Sequence, residues 1–532
     1  MTAANATPLP TDRAALLQRL AQPHTYDLAV IGGGATGLGV ALDAAARGFS
    51  VVLLESHDFA KGTSSRATKL VHGGVRYLAQ GNIALVREAL HERTTLLKNA
   101  PHLAQPLAFV MPSYKLWETP FYGTGLKMYD ALAGKAGLGD TQCLGRMETL
   151  RCLPTAVADG LKGGVKYWDG QFDDARLALA LARTAAARGA LLVNYCPAID
   201  LLYEGGKVAG VVCEDAESSA RFEVRARCVV NATGVWVDAL RQRDGQAGGR
   251  ELAPMVAPSQ GVHLVVDREF LPSDHALMVP KTADGRVLFA VPWLGKLILG
   301  TTDSPRHDLA REPLAMHEEV AFILGEAGRY LRRAPTVQDV RSIWVGLRPL
   351  VKPQNDDGGN TKRISREHTV IASPTGLVTV TGGKWTTYRA MAEDVLDKCF
   401  EAQLLPRRDA GVTVSLPLVG AAGASARQGM NQPQGLHSYG GEAALVAALP
   451  GADVVLAEGL TEAMVRWAVR HEYARTVEDV LARRARVLFL DARLAASLAP
   501  RVAQILAEEL PGHDPQLAPF LELANQYATV PA

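Results

Sequence analysis

The sequence predicts an α/β fold in three parts: a dinucleotide-binding βαβ unit, an antiparallel β-sheet region beside it, and a C-terminal all-α domain. Three observations predict it. Tyr26 to Glu55 reads as strand, glycine turn, helix and strand almost without interruption. Val256 to Thr302 carries the β-branched and aromatic runs GVHLVVD, RVLFAVPW and KLILGTTD, which suit an antiparallel sheet covering one side of a substrate site. From about Leu416 the composition turns to Gly, Ala, Ser, Gln and Pro, and then to apolar residues at helical spacing.

In the first unit, Tyr26 to Ile31 is short, apolar and ends in glycine, as a buried strand does. Gly32, Gly34 and Gly37 form G-x-G-x-x-G, with Gly33 and Thr36 inside the turn. The first glycine permits the tight turn, the second lets backbone approach a pyrophosphate, and the third lets helix pack on strand. The helix N-terminus then offers free N–H groups and a positive dipole end to phosphates. Ser50 to Leu54 is the second strand, and Glu55 ends it where a carboxylate can accept from ribose hydroxyls. A glycine-rich hairpin would not explain the acid at that distance. This is a Rossmann-like site for an adenine dinucleotide.

The remaining elements follow in order. Gly81 to Lys98 reads as a helix with Leu85, Ala89, Leu90, Leu96 and Leu97 on its apolar face. Asp173 to Ala187 is a second helix, with Asp174 expected as its N-cap. Ala190 to Tyr195, Lys207 to Glu214, Glu223 to Val230 and Gly376 to Thr381 read as strands. The reading divides the chain into a body over about 24–405, a linker over about 406–441 and a helical domain over about 442–528. Within the last, Leu460 to Arg470, Val477 to Leu490 and Ala499 to Leu510 are the clearest helices. The triplet Arg483, Arg484 and Arg486 is open to three readings (a dimer contact, anionic lipid or a solvated face), and the solvated face is the default.

At 532 residues the chain is too long for one ordinary core. Its 56 Lys and Arg against 55 Asp and Glu leave no basic excess of the kind a general nucleic-acid binder shows. Six cysteines without a C-x-x-C pair argue for reduced thiols rather than a disulfide framework or a metal site. The first 24 residues lack the basic start and apolar core of a signal peptide, and no segment has the length of apolar residues that a membrane span needs.

The second informative block is GTSSRATKLVHGGVRYL, Gly62 to Leu78. Thr63, Ser64 and Ser65 can donate to phosphate or ribitol oxygens, and Gly73 and Gly74 let backbone pass close to a flat ring. Lys69, His72 and Arg76 add positive charge and a titratable group. Together with IGGGATGLGVALDAAARG, FDDARL, NATGVWVD, GVHLVV, ILGTTD, GLRPL and GGKWTTYR, this text resembles the FAD-dependent glycerol-3-phosphate dehydrogenases that pass electrons to quinone. The C-terminal VRHEYARTVEDVLARRARVLFLD is similar to that family's helical cap, so the resemblance covers about residues 24 to 510.

The resemblance implies a D-amino-acid-oxidase-like flavoprotein. Its FAD-binding parts would be about 24–80, 165–240 and 340–400, and its substrate-domain parts about 81–164 and 241–339. It places Gly32, Gly33, Gly34, Thr36, Gly37 and Glu55 on the adenosine diphosphate half of FAD. Thr63, Ser64, Ser65, Lys69, Leu70, His72 and Gly73 would line the pyrophosphate, ribitol and isoalloxazine. Ala198, Ala232, Thr233 and Gly234 would close over the dinucleotide, and Gly382, Gly383, Lys384 and Thr386 would approach the flavin.

A phosphorylated substrate needs cations with directed donors, and arginine's planar fork serves best. Arg76, Arg348 and Lys384 are the candidates, with Tyr77 and His263 beside the substrate. His263 is the expected base for the C2 hydroxyl, with His72 as the alternative, and Arg348 would stabilise the developing alkoxide. Asp173 and Asp174 read as a helix start, not a metal site.

The family relationship further implies glycerol 3-phosphate as substrate, a membrane quinone as acceptor, and attachment to the inner, cytoplasmic face of the cell membrane. Trp117, Phe121 and Tyr122 with Lys115 and Lys127 suit such an interface, and packing inside the substrate domain is the competing reading. A homodimer is compatible with this reading. The alternative activities on the same fold are an FAD-dependent oxidase of an amino acid or 2-hydroxy acid, and an oxygen-using glycerol-3-phosphate oxidase. A non-catalytic flavin binder is the alternative from another class.

Overall fold

Two sheets organise the computed structural model, which describes residues 11–78, 82–282, 285–352, 367–423 and 429–531. Among the described residues the nucleotide sheet has eight strands. Its main path runs His368–Ala372, Leu377–Gly382, Arg221–Asn231, Thr25–Ile31, Val51–Leu54, Leu191–Val193, all parallel except the first. Val51–Leu54 and Leu191–Val193 are buried at every residue, as parallel strands covered on both faces must be. The expected strand at Ala190 to Tyr195 is therefore shorter than its apolar run. Lys207–Glu214 and Ala198–Glu204 extend the sheet as antiparallel strands from the start of Arg221–Asn231.

The second sheet has ten strands among the described residues. Val256–Asp267 is its spine, paired along one edge with Ser342–Val351 and along the other with Lys296–Gly300. Leu288–Trp293, Ala276–Val279, Ala104–Ser113 and Gly163–Phe172 follow, and Leu70–Val71 closes the edge. The short strand Leu70–Val71 belongs to the loop that leaves the nucleotide sheet after Val51–Leu54. One loop thus joins the two sheets, and the cleft lies between them.

The helix expected over Gly81 to Lys98 is Ile83–Asn99, with Asn82 accepting from Leu85 N at 3.2 Å as N-cap; Gly81 lies outside the described residues. The helix Asp174–Ala187 corrects the expected cap. Asp173 caps it, accepting from Arg176 N at 3.2 Å. Asp174 is drawn away by two cations, Lys69 at 2.7 Å and Arg486 at 3.0 Å.

The C-terminal segment departs from an all-α reading in two places. Val455–Ala457 and Leu460–Thr461 form a two-stranded ribbon. The expected helix over Val477 to Leu490 is broken into a wide π-helical turn, Asp479–Arg484, and a short helix, Val487–Leu490. Ala485 N bonds Val480 O at 2.8 Å, one residue further back than in an α-helix, and Arg486 takes φ 58°. The helices Glu462–His471, Ala492–Glu509 and Leu517–Ala528 complete the segment. Its core is continuous with the second sheet, since Trp293, Trp344 and Tyr167 pack in one cluster with Trp467, Phe489 and Phe520.

The solvated-face reading of the arginine triplet is overturned. Arg483, Arg484 and Arg486 are 2%, 1% and 0% exposed. Arg483 and Arg484 both pair with Asp58, on the loop after the second strand of the nucleotide sheet, and Arg483 also holds Glu478 and Asp479. Burial is possible because each guanidinium meets a carboxylate or carbonyl with directed donors.

Candidate active site

A cavity of about 780 Å³ runs between the sheets. It is lined by Glu55, Pro197 and Ala198, by Gly32, Gly34, Thr36 and Ala232–Gly234, by Gly382, Gly383, Lys384 and Thr386 with Leu70 and His72, and by His263 and Arg348.

The glycine turn is built for close approach. Gly32 has φ 110°, and a Cβ there would sit 2.6 Å from Ala232 O; at Gly37 it would sit 1.9 Å from Gly32 O. The backbone of the turn runs close to its neighbours at the start of helix Ala35–Ala46, whose N-cap, Gly34, supplies no side-chain acceptor of its own. Ser64 Oγ reaches across from the second loop to accept from Ala35 N at 2.9 Å. Glu55 accepts from Gly33 N at 2.6 Å and from His57 N at 2.9 Å, so its carboxylate is fixed at the strand end. A cleft whose wall holds a glycine turn, a helix N-terminus and a carboxylate fixed at the strand end fits an adenine dinucleotide.

Several residues expected to touch the cofactor lie behind this surface. Gly33, Gly37, Ser65, Lys69 and Gly73 do not line the cavity. Lys69 is wholly buried with φ 65°, donating to Ser65 O and Asp174 Oδ2 at 2.7 Å each. Gly73 N donates to Tyr129 Oη at 2.7 Å. These residues shape the loop whose Thr63, Ser64, Ala67, Thr68 and Leu70 face the cleft. Arg76 and Tyr77 fall in the short helix Val75–Leu78, but their side chains lie outside the described residues.

On the second sheet, a strand pair sets the chemistry. Gly261 and His263 are two apart on Val256–Asp267 and so share a face. Arg348 comes from the paired strand, and its guanidinium lies over Gly261, donating to Thr302 O at 3.0 Å and Thr301 Oγ1 at 3.2 Å. His263 is 2% exposed, stacks on Trp344 at 4.0 Å, and hydrogen-bonds Thr68 Oγ1 through Nε2 at 2.9 Å. Burial, then Arg348 and Lys69, hold its pKa well below the usual imidazole value. The ring is neutral at physiological pH, the state a proton acceptor needs. Phe109, Met278, Val287 and Phe289 form an apolar wall beside it.

The structure adds residues that sequence reading did not single out. Thr68 stood inside the quoted GTSSRATKLVHGG string and was legible as a hydroxyl in that loop. Arg286 and Arg311 also line the cleft, stacked on Phe322 at 4.7 Å and Trp236 at 4.3 Å. Arg286 opens the run RVLFAVPW, which read only as a strand, and no motif surrounds Arg311. Among the described residues no cluster of His, Cys, Asp and Glu could hold a metal.

Fold and site together define a flavoprotein oxidoreductase, and comparison with known proteins agrees. Residues 27–392 match the model of the FAD dependent oxidoreductase family, and residues 411–516 match the C-terminal domain of alpha-glycerophosphate oxidase. The chain is 39% identical over 97% of its length to mitochondrial glycerol-3-phosphate dehydrogenase of Rattus norvegicus, covering 75% of that protein. It is 39% identical over 91% of its length to the Arabidopsis thaliana mitochondrial enzyme, covering 82% of it. The crystal structure of glycerol-3-phosphate dehydrogenase from Bacillus halodurans, complexed with FAD, superposes with a TM-score of 0.76 at 29% identity, covering 97% of this chain and 98% of that one. The chain belongs to the FAD-dependent glycerol-3-phosphate dehydrogenase family.

Proposed function

We propose that the chain oxidises sn-glycerol 3-phosphate to dihydroxyacetone phosphate and passes the electrons to a membrane quinone. FAD, when bound, supplies the acceptor for the hydride that leaves C2. The residues of the chain do the rest. Gly32, Gly34, Thr36, Glu55 and the Ala232–Gly234 turn would hold the dinucleotide, and Gly382, Gly383, Lys384 and Thr386 its flavin end. His263 takes the C2 hydroxyl proton, with Thr68 keeping Nε2 directed. Arg348 stabilises the oxygen as it becomes anionic and, with Lys384 and Arg76, meets the phosphate.

The observation that carries this reading is the buried His263 imidazole, hydrogen-bonded to Thr68, on one wall of the cleft with the tethered guanidinium of Arg348. An amino-acid oxidase on the same fold would not need several cations in that cavity. The test is anaerobic mixing of the FAD-loaded protein with glycerol 3-phosphate while the flavin spectrum is recorded. Bleaching is expected with glycerol 3-phosphate and not with sarcosine, D-amino acids or 2-hydroxyglutarate. Protein that stays yellow with glycerol 3-phosphate overturns the proposal.

Membrane attachment is supported by the helix Glu118–Ala133 and its approach. Leu116, Trp117, Phe121 and Met128 are 81%, 53%, 64% and 53% exposed, with Lys115 and Lys127 exposed among them. Apolar side chains ringed by lysines fit an anionic lipid surface. No helix among the described residues is long and apolar enough to cross a membrane.

A further inference from the structure

The loop that faces the flavin cleft is held from behind by three charges with no solvent contact. Lys69, Asp174 and Arg486 side chains are all 0% exposed. Arg486 donates to Ser65 O at 2.8 Å and Asp174 Oδ1 at 3.0 Å. Lys69 donates to the same carbonyl and to Asp174 Oδ2, and Ala67 N completes the carboxylate at 3.0 Å. Three donors therefore make five hydrogen bonds to one carbonyl and one carboxylate, and they fix residues 65, 67 and 69 of a single loop.

Burying such a group is expensive, and well-packed apolar residues would stabilise a core at least as well. What apolar residues cannot supply is direction. The residues between the fixed points, Arg66 and Thr68, line the cleft, as does Ala67. Thr68 is the hydrogen-bond partner of His263 Nε2. A second route runs through Trp344, which stacks on His263 at 4.0 Å and lies 4.5 Å from the Lys69 ammonium. Phe489, from the same C-terminal segment as Arg486, packs against Trp344 at 5.4 Å and against Arg486 at 4.3 Å.

We propose that Arg486 is a positioning residue of the active site: it sets, through Ser65, Asp174 and Lys69, where Thr68 and Trp344 hold the imidazole of His263. The C-terminal segment is then part of the reaction machinery and not only a cap on the fold. This rests on the reading of His263 as the base. The charged groups around the imidazole are Arg348 from the paired strand, with Asp303 beyond it at 3.6 Å, and Lys69 from the loop. Behind Lys69 stand Asp173 and Asp174 on the helix and Arg486 on the C-terminal segment.

The experiment compares Arg486→Gln, Arg486→Lys, Lys69→Met and His263→Asn as FAD-loaded proteins in anaerobic stopped-flow with glycerol 3-phosphate. In Arg486→Gln the saturating rate of flavin bleaching is expected to fall at least about tenfold, while the substrate concentration at half-saturation changes less than about threefold. Arg486→Lys, which keeps the charge but not the fork, should recover part of that rate. In Lys69→Met the alkaline-favoured limb of the rate profile should move to higher pH, because a cation that disfavours the imidazolium is gone. A wild-type bleaching rate in Arg486→Gln alongside a slow His263→Asn overturns this inference alone. A wild-type rate in His263→Asn overturns the base reading instead. If Arg486→Gln does not fold, a wild-type saturating bleaching rate in Lys69→Met, which loses the bonds to Ser65 O and Asp174, overturns the inference by itself.

Discussion

At the scale of single residues, the site depends on one missing side chain. Arg348 can lie across its neighbouring strand only because residue 261 is glycine; a Cβ there would sit 2.3 Å from Nη2. The obstruction meets the far end of a long side chain, so the fold can yield by moving the arginine. Gly261→Ala is therefore expected to keep its FAD and its melting temperature but to lose about a hundredfold in kcat/KM for glycerol 3-phosphate. Steady-state kinetics beside a thermal melt checks this, and a near-wild-type kcat/KM would show that the guanidinium is not needed where it stands. His263 and Arg348 were legible in the sequence through GVHLVV and GLRPL. Gly261's part was not, because it depends on a cross-strand neighbour 87 positions away that no local pattern names.

At the scale of elements, legibility followed how far an element's form is decided by its own text. The βαβ unit was readable to within a residue or two, since glycine spacing, apolar strands and terminal acid are all local. The stretch Val477 to Leu490 was not, although its apolar spacing is helical. Its arginines must reach Asp58 and Asp174, and those long-range pairings widen one turn and push Arg486 to φ 58°. The same conflict misdirected the cap: the text offers two adjacent aspartates, and tertiary cations decide which is free to cap.

The helix Glu118–Ala133 tests an element in isolation. Trp117→Ala with Phe121→Ala should leave flavin bleaching unchanged and reduce sedimentation with anionic liposomes by about tenfold or more. Equal sedimentation of the double variant and the parent would remove this helix from the membrane contact.

Across the whole molecule, buried histidines set how the fold answers acid. Burial, followed by Arg176, pulls His102 down to about 3, and burial, followed by Arg311 and Lys61, pulls His57 down to about 4. The unfolded chain takes up protons on both as pH drops below about 6.5, whereas the folded chain does not. Stability present above that value is thus lost progressively as pH falls to about 4 and, for His102, on towards 3. Melting temperatures recorded from pH 7 to 4 should decline, and His102→Gln should flatten the decline; an identical slope in that variant would contradict the assignment.

The ion pairs between Asp58 and the arginines also fix an order of events in the life of the chain. Arg484 follows Asp58 by 426 residues. A ribosome working from the N-terminus exposes the glycine turn and the flavin loop before it adds the arginines that lock that loop. The dinucleotide cleft is consequently begun in one stretch of translation and finished only once Arg484 has followed.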